Sequence, residues 1–255
     1  MKKNVGFFSL VVLLLISSMT LAQAQEMSND AKMAYNEGNK YLKSGDYENA
    51  VKQYQEALKT AKDYRIYYQL GITLKKQGKL QEAEEAFDNS IKANPDFAIG
   101  YNGLGGAYFI NGKYAEAVTA FKKFEELTKK STTKEQAKDN IALALVKLAE
   151  VTKKDGKPAQ TIDYLNEAIS YSENDAAYVL LATTYFEAGE YDKTIDITDK
   201  ALALKGFKLR GAAYYYKGMA YKQKQDQTKA KENFLLAQKD PQYKRLADYE
   251  LKLMK

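Results

Sequence analysis

The sequence predicts an all-α protein, an α-solenoid of about six helix-turn-helix repeats with a C-terminal capping helix. The first observation is a small residue that recurs at intervals of 33, 34, 44, 33 and 36 residues, at Gly38, Gly71, Gly105, Ala149, Ala182 and Gly218. The second is a glycine seven residues after each of the first five of these anchor residues. The third is helical apolar spacing on both sides of that glycine. Such units bury a continuous core only against their neighbours, so we expect an elongated molecule whose function lies on a surface.

The N-terminus has the features of an export signal. Lys2 and Lys3 precede an almost wholly apolar run, residues 5–16, and a small-x-small motif ends at Ala24. The run is shorter than the roughly 20 residues that a membrane-spanning helix needs. We therefore expect residues 1–24 to be a signal peptide cleaved near Ala24–Gln25, with an uncleaved anchor as the alternative. The mature protein would then be periplasmic or secreted, with no membrane span.

Each predicted unit is a pair of helices joined at the recurring glycine, which fits a helix C-cap in the left-handed conformation. The second helix carries a small residue and, four positions later, an aromatic one, as in Ala117 and Phe121. A small residue lets two helices approach closely while the ring fills the space beside it. The predicted units are residues 31–63, 64–97, 98–130, 131–174, 175–210 and 211–242, followed by a capping helix at residues 243–255.

Three features depart from the regular pattern. The long third interval, of 44 residues, predicts an extended first helix in the fourth unit, starting at a capping box formed by Thr132 and Glu135. In the sixth unit Gln225 replaces the turn glycine, which predicts a weaker cap. After Pro241, the spacing of Leu246, Tyr249, Glu250 and Leu253 predicts an amphipathic helix that covers the end of the stack.

The third unit shows a family resemblance most fully. Its matching residues are Tyr101, Leu104, Gly105, Tyr108, Ala117 and Phe121. At this spacing the chain resembles a tetratricopeptide repeat (TPR) protein of the exported bacterial type, over about residues 31–242. The resemblance implies a right-handed solenoid whose first helices line a concave groove, and a role in binding other proteins.

The composition argues against most enzyme classes. The chain has no histidine and no cysteine, and the usual zinc sites, Ser-His-Asp triads and thiol nucleophiles need those residues. Adjacent acids such as Glu84 and Glu85 point about 100° apart on a helix and are typical of a solvated face. The glycines around Gly105 lie in a helical pattern and favour close packing over a phosphate cradle. We expect no enzyme activity, no cofactor, no metal and no nucleic-acid partner.

The groove implied by the resemblance gives the candidate site. Some family members hold the C-terminal carboxylate of a partner with lysines and asparagines of successive units; only Asn39 fits that pattern here, so we do not expect that mode of binding. The leading hypothesis is a scaffold for an extended peptide or a helix of another protein, and the alternative is a glycan-binding module that uses the tyrosines. The candidate residues are Tyr35, Asn39, Lys43, Tyr68, Ile72, Lys75, Asn102, Phe109, Thr183, Phe186, Tyr215, Met219 and Lys222.

Overall fold

The computed structural model describes residues 27–254, so the predicted signal peptide lies outside the described residues. The described chain is α-helical throughout, and its elements follow one another as helix, turn and helix. The helices are α1 (Asn29–Ser44), α2 (Tyr47–Thr60), α3 (Tyr64–Lys76), α4 (Leu80–Ala93), α5 (Ala98–Ile110), α6 (Tyr114–Leu127), α7 (Ser131–Lys154), α8 (Pro158–Tyr171), α9 (Asp175–Glu187), α10 (Tyr191–Ala203), α11 (Arg210–Gln223), α12 (Gln227–Ala237) and α13 (Lys244–Leu253).

The turn inside each helix pair has the same geometry in all six units. In the first unit Gly45 has φ of 81°, its N–H donates to the Leu42 carbonyl, and the Asp46 N–H donates to the Tyr41 carbonyl at 2.9 Å. These bonds satisfy carbonyls that the end of a helix leaves without partners. The five turn glycines have positive φ, as the sequence predicted, and Gln225 takes the same conformation at φ 63°.

The extra residues of the fourth unit lie in its first helix. α7 has 24 residues, whereas the other five first helices have between 13 and 16. The predicted capping box is wrong, because α7 begins at Ser131 and its N-cap residue, Lys130, makes no side-chain cap bond. Thr132 therefore lies inside the first turn, where its hydroxyl is not at the capping position.

The core is a layer of side chains between the first and second helices. Tyr54, Phe87 and Phe234 are among the largest fully buried side chains, and each comes from a second helix. Around these rings the layer consists mostly of alanine and leucine. Small and large residues therefore alternate across the facing helices, which fills the space without voids.

The contacts between units show which side of the stack is the inner one. First helices of neighbouring units lie against each other in the pairs α1–α3, α3–α5, α7–α9 and α9–α11. Among the described residues no comparable contact joins the second helices of neighbouring units. The first helices are therefore closer together and form the concave side of the stack, which we call the inner face; the second helices form the outer face.

The C-terminal helix covers the last unit, as predicted, but with a different face from the one expected. Ala247 is fully buried and Glu250 is 7% exposed, and both face the sixth unit. Leu246, Tyr249 and Leu253 are 43%, 61% and 59% exposed. The prediction failed because a small alanine permits closer helix packing than the larger apolar residues, and because Lys222 neutralises Glu250.

None of the helices between residues 27 and 254 is both long enough and apolar enough to cross a bilayer.

Candidate functional site

The inner face carries a row of residues at equivalent positions of the six first helices. Each of them stands four positions after the anchor residue of its unit, which places it near the end of the first helix. We call this set the inner row. It consists of Leu42, Lys75, Phe109, Lys153, Phe186 and Lys222.

The aromatic candidates on the inner face pack against other rings of the protein. Tyr68 lies edge-on to Phe97, with 5.3 Å between ring centroids, and 5.8 Å from the Phe87 ring. Burial raises the pKa of the Tyr68 hydroxyl, because the charged phenolate would be poorly solvated there. Tyr215 contacts three further rings, Tyr216, Phe234 and Tyr243.

The remaining aromatic candidates follow the same principle. Tyr35 lies 6.0 Å from the Tyr54 ring, Phe109 meets Tyr114 edge-on at 5.5 Å, and Phe186 lies 5.6 Å from Tyr191. All five candidate rings are half-buried. One side of each ring therefore belongs to the packing of the stack.

The polar candidates take part in hydrogen bonds within or between units. The Tyr54 hydroxyl donates to Asn39 Oδ1 at 2.8 Å, and Asn140 Nδ2 donates to Asn102 Oδ1 at 3.2 Å. Thr183 is buried, and its hydroxyl accepts a hydrogen bond from Lys153 Nζ at 3.1 Å. The side-chain oxygens of all three residues thus have hydrogen-bond partners within the protein.

The lysine candidates differ in what surrounds their charge. Lys222 Nζ lies 2.5 Å from Glu250 Oε2, so its charge is neutralised by the capping helix. Lys43 is exposed at the end of α1. Lys75 is half-buried, its Nζ lies 5.9 Å from the centre of the Phe87 ring, and burial lowers its pKa, with a smaller contribution from Lys76. Within residues 27–254 its ammonium group makes no ion pair.

The aliphatic candidates occupy the inner face at its two ends. Ile72 is half-buried on α3 and packs on the core of the first three units, and Met219 packs in the same way on the core of the sixth unit. The structure thus distributes the thirteen candidates over five of the six first helices, with none on α7. It does not gather them into one pocket.

Three residues of the inner face were missing from the sequence prediction. They are Lys153, Glu187 and Ile110. Lys153 belongs to the inner row and forms an ion pair with Glu187 at 2.9 Å, and Ile110 is 59% exposed at the end of α5. The repeat spacing alone gives all three positions. They were missed because the fourth unit matches the pattern weakly and because Ile110 precedes a turn.

The outer face carries a crevice of about 610 Å³ on the third unit. Tyr101, Leu104 and Tyr108 of α5 line one side, and Thr119 and Lys123 of α6 line the other. This crevice is the alternative binding surface to the inner face, because pockets of this size hold ligands in many proteins.

Comparison with known families decides which repeat this is. A tetratricopeptide repeat model matches residues 68–131, and a second TPR repeat model matches residues 38–78. The chain is a tetratricopeptide repeat protein. The matched residues include the anchor glycines Gly38, Gly71 and Gly105, each of which lies against an aromatic ring of the second helix of its unit.

A solved structure of another TPR protein shares this fold. YrrB, described as a TPR protein with an unusual peptide-binding site, is 20% identical, with a TM-score of 0.51 over 78% of this chain and 97% of its own. MamA from Desulfovibrio magneticus RS-1 is 19% identical, with a TM-score of 0.48 over 68% of this chain and 94% of its own. A comparison with curated proteins gives no match. The similarity to YrrB shows that the TPR solenoid is shared.

Proposed function

We propose that this TPR protein is a non-enzymatic scaffold that binds a segment of another protein along its inner face. The observation that carries the proposal is the inner face of first helices, which lie against one another from α1 to α5 and from α7 to α11 and present the half-buried rings and lysines of the inner row. Aromatic anchors beside charged groups are typical of surfaces that bind peptides. YrrB, which has the same fold, is described as having a peptide-binding site.

A blocking substitution on the inner face tests the proposal. A Cβ at Gly106 would meet only Lys75 Nζ, at 3.5 Å, so Gly106→Tyr is chosen to place a ring on the inner face. Affinity capture from host extract, followed by mass spectrometry, should recover a defined partner with the wild-type protein and lose it with this variant. Thr119→Tyr, on the outer face of the same unit, is the matched control and should retain the partner. Equal recovery by both variants would contradict the proposal.

We further propose that the protein works in the bacterial cell envelope after export. The support is the charged and apolar N-terminal segment with its small-x-small motif. N-terminal sequencing of the protein isolated from the periplasm or the medium should start at Gln25. A chain that retains Met1 in the cytoplasm would count against export and leave the scaffold proposal standing.

The glycan alternative has less support from the geometry. Carbohydrate stacking needs a free aromatic face, and Tyr68 and Tyr215 each have several rings packed against them. Affinity electrophoresis in gels that contain cell-wall polysaccharide distinguishes the two functions. Retardation that is lost in Gly106→Tyr would favour a glycan ligand on the inner face.

A further inference from the structure

The six units provide an internal comparison for the lysines of the inner row. Lys153 of the fourth unit reaches two residues of the fifth, Thr183 and Glu187, which stand one and five positions after the anchor Ala182. Lys222 of the sixth unit reaches Glu250 of the capping helix. In both cases the helix that covers this side of the unit, α9 or α13, supplies a carboxylate for the ammonium group.

Lys75 of the second unit has the same position in its repeat but lacks such a partner. One and five positions after the next anchor, Gly105, the third unit has Gly106 and Ile110. Gly106 has no side chain, and the point where its Cβ would stand lies 3.5 Å from Lys75 Nζ. The ammonium group therefore lies above bare backbone, where its equivalent in the fourth unit has a hydroxyl and a carboxylate.

The environment of Lys75 makes the missing carboxylate costly. The side chain is half-buried, and its ammonium group faces the electron-rich surface of the Phe87 ring. Burial lowers the pKa of Lys75, because the charged form loses contact with water there. A half-buried charge without a counter-ion is destabilising, and a carboxylate at hydrogen-bond distance removes the penalty. The gap above Gly106 leaves room for one.

The neighbours of Lys75 along the inner row are apolar. Leu42 precedes it in the first unit and Phe109 follows it in the third, while Ile110 is exposed beside the gap. A segment that runs along the row therefore meets an apolar, a cationic and again an apolar position.

We propose that Lys75 binds an acidic side chain of the partner, in a segment where that side chain is flanked by apolar residues. This inference rests on the proposed scaffold function and names the chemistry of its ligand. The carboxylate would occupy the space above Gly106 and take the place that Glu187 has beside Lys153. The apolar residues on either side would contact Leu42 and Phe109.

The test uses synthetic peptides whose only charge is the central side chain. Fluorescent peptides, acetylated and amidated at their ends, would carry Glu, Gln or Lys between apolar flanks of Leu and Phe. Binding to the purified protein is measured by fluorescence anisotropy. We expect the Glu peptide to bind about tenfold or more tightly than the Gln peptide, the range of one charge-assisted hydrogen bond, and the Lys peptide to bind least.

Two variants assign that preference to Lys75. Lys75→Met should remove the preference for Glu, whereas Lys79→Met, an exposed lysine that gives the same net charge, should preserve it. Ile110→Glu supplies from within the chain the carboxylate that Glu187 gives to Lys153, so it should also abolish binding of the Glu peptide. Ile110→Gln, its neutral control, should bind as the wild type does. Circular dichroism confirms that each variant is folded.

The outcomes separate this inference from the scaffold proposal. Equal binding of the Glu and Gln peptides, or a preference that survives in Lys75→Met, overturns the role of Lys75. Absence of binding by every peptide overturns it as well. In each of these cases the capture experiment with Gly106→Tyr still decides independently whether the inner face binds a protein.

Discussion

At the residue scale, the anchor residue of each first helix and the side chain that covers it vary together. Where the anchor is glycine, an aromatic residue stands sixteen positions later: Tyr54, Phe87, Phe121 and Phe234. Where the anchor is Ala149 or Ala182, that position holds Leu165 or Thr198. A Cβ at Gly105 would lie 2.7 Å from the Phe121 ring. The ring therefore occupies the volume that an alanine would need, and the two positions form a size-matched pair.

This pairing predicts non-additive effects of substitution. Gly105→Ala should lower the free energy of unfolding by about 1 to 3 kcal/mol, since the ring must shift, and Phe121→Leu should lower it through a cavity. The double variant, which recreates the pair of the fourth unit, should lose less than the sum, by about 0.5 kcal/mol or more. Urea denaturation measures all three. Gly106→Ala on the same helix, where the added Cβ meets only a lysine tip, is the control and should not destabilise. Strict additivity would contradict the pairing.

At the element scale, the turn inside each unit is determined by one left-handed residue. Five units use glycine there and the sixth uses Gln225 at φ 63°. A residue with a Cβ is strained in this region by about 1 kcal/mol, and the surrounding hydrogen bonds maintain the turn despite that cost.

A glycine at the turn of the sixth unit should therefore stabilise the protein. Gln225→Gly removes the strain and should raise the free energy of unfolding by about 0.5 to 1 kcal/mol. Gln55→Gly, a substitution of the same kind at an exposed position inside α2, should lower it, because glycine destabilises a helix interior. Thermal denaturation of the two variants checks both signs. A destabilised Gln225→Gly would show that the Gln225 side chain makes a contribution larger than the strain.

Local spacing explains which features were predictable from the sequence. The helix pairs, the left-handed turns and the alanine-to-aromatic packing depend on residues within one unit, and all were predicted. The capping helix buries Ala247 in place of the predicted Leu246, because packing against the end of the sixth unit determines which side of α13 is buried. The state of the inner-row lysines was also beyond prediction, since Lys75 and Lys153 differ only in what the next unit presents to them.

At the scale of the whole molecule, the chain has an unusual set of titrating groups. It has no histidine and no cysteine, so no side chain has an ordinary pKa between those of the carboxylates and the tyrosines. Burial raises the pKa of seven tyrosines: Tyr54, Tyr68, Tyr108, Tyr178, Tyr215, Tyr216 and Tyr243. These residues lie in units from the first to the last.

Stability should consequently depend on pH mainly in the alkaline range. A raised pKa in the folded state means that the folded protein retains protons that the unfolded chain releases above about pH 10. The contribution of the tyrosines is thus fully present below pH 10 and is lost as pH rises through their folded pKa values. The lowered pKa of Lys75 makes a contribution of opposite sign to the pH dependence of stability, but it comes from a single group. Urea midpoints should be nearly constant from about pH 6 to 9 and fall above about pH 10. A marked loss of stability near neutral pH would contradict this assignment.

The whole-molecule claim, that the inner face is where a partner binds, is tested most directly by site-specific photo-crosslinking in the host cell. A photoreactive amino acid at Ile110 lies on the inner face and one at Thr119 on the outer face of the same unit, and both positions are exposed. The account predicts that illumination joins a defined partner to the protein from Ile110 and that substitution of Gly106 by Tyr removes this product. Crosslinks from Thr119 in the absence of any from Ile110 would place the binding surface at the outer crevice and contradict the account.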